Sequence, residues 1–143
     1  MRVLIADDDP VYRNLLDGLL SKWGFEAVCA CNGREACEAI RRDPAIELAL
    51  LDWMMPEKDG YAVCHDIRQD SSTCDLYILM ITSNGLRDEL IKVVVAGADD
   101  YIIKPFEPLD LKIHVRAAKR IIDLQAQLAG LPGPPCAAPL GLR

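Results

Sequence analysis

Short apolar runs recur along the chain, each closed by polar or turn-forming residues and each followed by a stretch with helical spacing. Val3-Leu-Ile-Ala6 reads as a buried strand closed by Asp7-Asp8-Asp9-Pro10, where Asp9 suits a helix N-cap and Pro10 the first helical position. Val11, Leu15, Leu16, Leu19 and Leu20 then keep helical spacing as far as Trp23-Gly24. Phe25 to Cys29 repeats the strand, and Asn32-Gly33 opens a helix whose Ala36, Ala39 and Ile40 face inward until Asp43-Pro44. Ile46 to Leu51 is the third strand. Its run Leu48-Ala-Leu-Leu51 is apolar on both faces, as in a parallel sheet, and it stops abruptly on Asp52. After a loop with Pro56 and Gly60, a third helix carries Ala62, Val63 and Ile67. Leu76 to Ile81 is the fourth strand, Leu86 to Ala96 the fourth helix closed by Gly97, and Asp100 to Ile103 the fifth strand. A long fifth helix follows from Glu107 to about Ala129. Strands alternating with helices in this way specify an α/β fold with a doubly wound parallel sheet and right-handed crossovers.

Composition narrows the reading without changing it. The chain of 143 residues is one domain's worth, with 51% hydrophobic and 27% charged residues. A formal charge of -6 argues against direct nucleic-acid or anionic-membrane binding by these residues, since both depend on clustered Lys and Arg. Apolar runs stay well short of the roughly 18 residues of a membrane span, and Met1-Arg2 leads straight into a strand, so a cytoplasmic location is expected. The six cysteines are scattered without CxxC pairs, which favours free thiols over zinc or a disulfide framework. His65 and His114 are isolated and read as helix-surface residues.

The chemistry gathers at the strand ends. Open α/β sheets bind ligands beyond the carboxyl ends of their strands. Asp7 and Asp8 follow the first strand, Asp52 the third, Thr82 the fourth and Lys104 the fifth. Three carboxylates brought together repel one another and need a cation between them; an oxygen-only site open to water suits Mg²⁺. Lys104 adds a positive charge and Thr82 a hydroxyl, a set able to stabilise a phosphoryl group on Asp52. Any one of these residues alone is more often a cap or a loop residue, and Asp9 is assigned that role. The combination, closing successive strands in order, carries the specificity.

These motifs identify the family. Ile5-Ala-Asp7-Asp8-Asp9-Pro10, Leu51-Asp52-Trp-Met-Met-Pro56 with Asp59-Gly60, Ile81-Thr82-Ser83 and Gly97-Ala-Asp-Asp-Tyr101-Ile-Ile-Lys104-Pro105-Phe106 resemble the receiver domain of bacterial two-component response regulators, over about residues 2 to 124. The resemblance implies a flavodoxin-like sheet of order 2-1-3-4-5. It also implies that Asp52 accepts a phosphoryl group from a phosphohistidine on a sensor histidine kinase or phosphotransfer protein. Asp8, Asp52 and the backbone carbonyl of Met54 would ligate Mg²⁺ directly, with Asp7 acting mainly through water. Lys104 would pair with phosphoryl oxygens, Thr82 would move to hydrogen-bond them, and Tyr101 would turn inward as the switch reporter. A cis bond between Lys104 and Pro105 and tuning of hydrolysis by Asn84 and Met54 are implied as well. Such a chain is a switch rather than an enzyme, with self-phosphorylation from phosphodonors and autodephosphorylation expected.

The fifth helix asks for more than a phosphosite. About 34 Å of helix exceeds what covers a sheet, and it carries two apolar stripes. Leu109, Ile113, Ala117, Ile121, Leu124 and Leu128 form one; Leu111, Val115, Ala118 and Ile122 form the other. On the fourth helix Leu86, Leu90, Val93 and Val94 share a core-facing arc, with Ile91 and Val95 on its flank. The expectation is a homodimer whose face is Ile91, Val95, Leu111, Val115, Ala118 and Ile122. The domain reading is a receiver over 1–124, the distal end of the extended helix over 125–129, and a disordered Pro/Gly-rich linker or expression remnant over 130–143. A helix outrunning the receiver resembles the connection to a downstream output domain, a nucleotide cyclase for example, which this chain does not contain. Two alternatives compete: a receiver-like binding or dimerisation module that works without phosphorylation, and a haloacid dehalogenase type phosphatase. The latter needs an acid two residues after its nucleophile, and that position here is Met54.

Overall fold

The computed structural model describes residues 1–83 and 85–129. Five strands and five helices alternate: β1 (Arg2–Ala6), α1 (Pro10–Lys22), β2 (Glu26–Ala30), α2 (Gly33–Arg42), β3 (Ile46–Asp52), α3 (Gly60–Gln69), β4 (Tyr77–Thr82), α4 (Arg87–Ala96), β5 (Asp100–Ile103) and α5 (Pro108–Leu128). The strands form one parallel sheet of order β2-β1-β3-β4-β5, a flavodoxin-like topology. The expected bounds hold to within a residue at most ends, with β2 and β4 shifted one residue toward the C-terminus.

Alternation along the strands divides the core in two. Leu4, Ala6, Ala49, Leu51, Ile78 and Met80 face a layer built from α2, α3 and α4, through Ala36, Ile40, Val63, Ile67, Val93 and Ala96. Val3, Ile5, Leu48, Leu50, Leu79 and Ile81 face α1 and α5, through Leu16, Leu20, Leu111, Val115, Ala118 and Ile122. Both faces of the sheet are therefore covered, which is why β3 and β4 read as unbroken apolar runs.

Helix ends follow local chemistry. Asp9 caps α1 by accepting from the Val11 amide at 2.9 Å, Asn32 caps α2 from Glu35, and Asp59 caps α3 from Ala62. Gly97 ends α4 at φ 105, a left-handed conformation that an L side chain resists. Glu107 and Asp110 close a reciprocal capping box at the start of α5.

Four expectations fail. Leu111, Val115, Ala118 and Ile122 are packed on the sheet and fully buried, so they cannot line a dimer face; the exposed stripe is Leu109, Ile113, Ile121, Leu124 and Leu128. In α4 the inward arc is narrower than expected. Val93 and Ala96 are buried while Leu86 and Val94 are exposed, with Ile91 exposed and Val95 half-buried. Cys29, Cys31, Cys37 and Cys64 are free thiols, but Cys74 is disulfide-bonded. His114 is not isolated either, its Nδ1 lying 2.5 Å from Asp100 Oδ2, whereas His65 is exposed as expected. Cys136, Asn84 and the stretch 130–143 lie outside the described residues.

Candidate phosphoacceptor site

Strand register brings the candidate residues together. Ala6 pairs with Leu51, so the next residues, Asp7 and Asp52, leave adjacent strands side by side. Asp52 pairs with Ile81, the neighbour of Thr82, and Thr82 pairs with Ile103, the neighbour of Lys104. Asp7, Asp52 and Thr82 are buried, and Asp8 is exposed.

The Lys104 ammonium joins the two buried carboxylates, donating to Asp7 Oδ2 at 2.9 Å and to Asp52 Oδ2 at 3.3 Å. The second oxygen of Asp7 accepts from the Asp9 amide at 2.9 Å, and the Asp7 carbonyl accepts from Arg13 at 2.7 Å. Lys104 is aimed partly by its own backbone, whose amide donates to the Thr82 carbonyl at 2.7 Å. The peptide bond between Lys104 and Pro105 is cis. Behind Asp52, the Trp53 amide donates to the Ile81 carbonyl and the Gly60 amide to the Trp53 carbonyl. The exposed Met54 turns its amide toward Asp52 Oδ1 at 3.4 Å. Tyr101 is half-buried against the cluster that holds α4.

Burial, together with the negative charge of Asp7, raises the Asp52 carboxyl from 3.8 to about 6, against the pull of Lys104. Burial alone would lower the Lys104 ammonium, but its hydrogen bond to Asp7 and the charge of Asp52 reverse the sign and raise it. The crowding of Asp52 has a consequence for stability. A carboxyl whose folded pKa lies above its unfolded one holds its proton more tightly when folded, so its contribution is present below about 4 and is lost as pH rises to about 6. In the metal-free chain, Asp52→Asn should be more stable than wild type at pH 7.5 by about 2 kcal/mol, and the gap should close at pH 4. Urea unfolding in a chelator at the two pH values checks this; equal midpoints at pH 7.5 would refute it.

Asp7, Asp8 and Asp52 each offer an oxygen within 4.8 Å of the others. Oxygen donors alone, with one carboxylate open to water, fit a hard divalent cation such as Mg²⁺, which keeps part of its hydration shell. The three negative charges facing one ammonium leave room for that second positive charge.

A family model, the response regulator receiver domain, matches residues 3–116. The chain belongs to the response regulator receiver family. A probable transcriptional regulator, ycf27 of Cyanidium caldarium, is 43% identical over 123 residues, 85% of this chain and 47% of its own length. Thus this receiver spans about half the length of the curated relatives it matches. A solved two-component response regulator with a GGDEF domain is 30% identical with a TM-score of 0.80, over 86% of this chain and 50% of that one. The receiver domain of the sensor histidine kinase PA1611 from Pseudomonas aeruginosa, solved with magnesium in its active-site cleft, is 26% identical with a TM-score of 0.76, over 85% and 97% of the two chains.

Residue spacing pointed to Asp7, Asp8, Asp52, Thr82 and Lys104, and these converge at one sheet edge. It passed over Arg13, which braces the Asp7 backbone, and Tyr12, whose ring lies 4.0 Å from the Lys104 ammonium. Both lie at the start of α1, a few residues after the acidic pair, and that nearness in sequence was the available signal.

Proposed function

We propose that this receiver is a phosphorylation-dependent signalling switch in which Asp52 takes a phosphoryl group from a phosphohistidine on a sensor histidine kinase or phosphotransfer protein. The observation that carries the reading is a buried carboxylate joined to a lysine ammonium beside two further acids, in a chain of this family. Mg²⁺ would be held by Asp8 and Asp52, by the Met54 carbonyl and by Asp7 through water, and would supply charge neutralisation for phosphoryl transfer. Asp52 is the attacking oxygen. Lys104 keeps a positive charge against the transferred oxygens, and Thr82, at the end of β4, offers a hydroxyl once they are in place. Tyr101, on β5 and half-buried against the cluster that holds α4, then shifts inward, so that the surface of α4, β5 and α5 reports the state of Asp52. Asn84, two residues after Thr82 in the sequence, is assigned, with Met54, to setting how fast the acyl phosphate hydrolyses.

Incubation with acetyl phosphate and Mg²⁺, followed by intact mass, tests the assignment. Wild type should gain one phosphoryl group and Asp52→Asn none. A wild type that gains no mass would turn the reading to a binding module that works without phosphorylation.

The output follows from the exposed stripe of α5. Leu109, Ile113, Ile121, Leu124 and Leu128 recur at helical spacing, and the last two lie beyond Ile122, where packing on the sheet ends. We assign this stripe, with Ile91 of α4, to a homodimer that continues as a short coiled coil toward an output domain. Relatives named as transcriptional regulators make a DNA-binding output the leading choice, so the expectation of no nucleic-acid contact is not extended to a full-length protein. Sedimentation at high concentration, with and without beryllofluoride on Asp52, should reveal dimers in at least one state. Monomers throughout would remove the dimer.

A further inference from the structure

The Lys104 ammonium has three N–H donors, and two of them are spent on Asp7 and Asp52. Its remaining side is closed by the Tyr12 ring, whose centroid lies 4.0 Å from Nζ. That distance sits well inside the range over which an aromatic face attracts a cation. Phe106 in turn stands against Tyr12, with centroids 6.0 Å apart and planes tilted by 49°. The Lys104 side chain is left only 12% exposed. Tyr12 reaches this position because Asp9 caps α1 and starts the helix directly after the acidic pair, which turns the first helical residues back over the site. The ring and the acids thus come from one short segment, while Lys104 and Phe106 come from the other end of the domain.

We propose that Tyr12 is a positioning residue for phosphoryl transfer, its ring face backed by Phe106 and holding the Lys104 ammonium over Asp52. This rests on Asp52 being the phosphoacceptor. With acetyl phosphate as donor, an Asp52 carboxylate oxygen forms a bond to phosphorus as the bond from phosphorus to the acetyl oxygen breaks, and acetate leaves with that electron pair. Negative charge gathers on the transferred oxygens during the step, and an ammonium already in place stabilises it without reorganisation. Without the ring, the flexible lysine stem would let the ammonium swing toward water, and part of that preorganisation would be lost. A ring that merely filled space would be replaceable by any apolar group of its size.

Tyr12→Phe, Tyr12→Leu and Tyr12→Met separate these cases, because the first keeps the aromatic face and the other two keep only bulk. Phosphoryl incorporation from acetyl phosphate with excess Mg²⁺, followed by intact mass, should proceed at the wild-type rate in Tyr12→Phe. It should be about fivefold slower in Tyr12→Leu and Tyr12→Met, the rate equivalent of about 1 kcal/mol. In a second readout that needs no phosphorylation, the Lys104 Hε proton resonances should lie upfield in wild type and Tyr12→Phe, under the ring current, and return to ordinary positions in the other two. Leu and Met variants as fast as wild type, or a Phe variant as slow as they are, would overturn the proposal. So would Hε resonances unchanged across the series. Absence of phosphorylation in wild type would instead strike the phosphoacceptor assignment, leaving the ring-current result to stand by itself.

Discussion

Gly33→Ala is expected to lower folding stability by about 3 kcal/mol, the upper end of what forcing extra volume into a packed site costs. A Cβ on Gly33 would lie 1.8 Å from the Lys58 carbonyl oxygen and 2.7 Å from the Lys58 Cβ. Both clashes involve the loop joining β3 to α3, and the main-chain one cannot be relieved by a rotamer change. Either α2 must back away from the sheet or the loop must swing outward. Lys58 resists the second course, because its amide donates to the Pro56 carbonyl at 2.7 Å and its ammonium pairs with Asp66. The same loop begins at Asp52, so slower phosphoryl incorporation should accompany the loss of stability. Urea unfolding of the variant decides the point; a change below about 0.5 kcal/mol, the range of an ordinary surface substitution, would contradict it.

Arg68→Ala should cost about 3 to 5 kcal/mol, comparable to breaking a buried ion pair. The guanidinium makes five contacts: two to the Gly97 carbonyl at 3.0 and 2.9 Å, one each to the Cys74 and Leu76 carbonyls at 2.8 and 2.6 Å, and one to Asp99 Oδ2 at 2.8 Å. They match the five N–H donors of the fork. Asp99 Oδ2 also accepts from the Ile78 amide at 2.8 Å, so one side chain ties the end of α3 to the start of β4 and the end of α4. Removal strands carbonyls in a site where the Arg68 side chain is 9% exposed. Arg68→Lys should recover little, since an ammonium carries three donors and no planar fork. Guanidinium chloride unfolding of the three proteins tests the order, and a lysine variant as stable as wild type would defeat the argument.

Arg68 also shows where reading the sequence stops. Its acceptors lie 6, 8, 29 and 31 residues away, and carbonyls carry no side-chain signature, so nothing near Arg68 distinguishes it from a basic residue on a solvated helix end. Gly33 was legible as a helix start after Asn32, but not as a point of close approach, because Lys58 meets it only through tertiary packing. The site residues were legible for the opposite reason. Each closes a strand, and parallel strands put all their ends on one edge, so order along the chain translated into proximity.

The two stripes of α5 fall between these cases. Both have apolar residues at helical spacing, and a helix taken alone does not say which side faces the sheet. Their lengths do differ: the buried set stops at Ile122, whereas the exposed set runs on to Leu128. A stripe that outlasts the sheet has no sheet left to cover, and that length difference was the available clue.

The ammonium of Lys104 meets a carboxylate 97 residues earlier in the chain. A growing polypeptide that ends before β5 already carries all three acids and Thr82, but not the lysine that joins Asp7 to Asp52. The acidic edge can therefore mature only once β5 has emerged and docked beside β4. Until then a nascent chain has the buried acids of the site without the counter-charge that joins them.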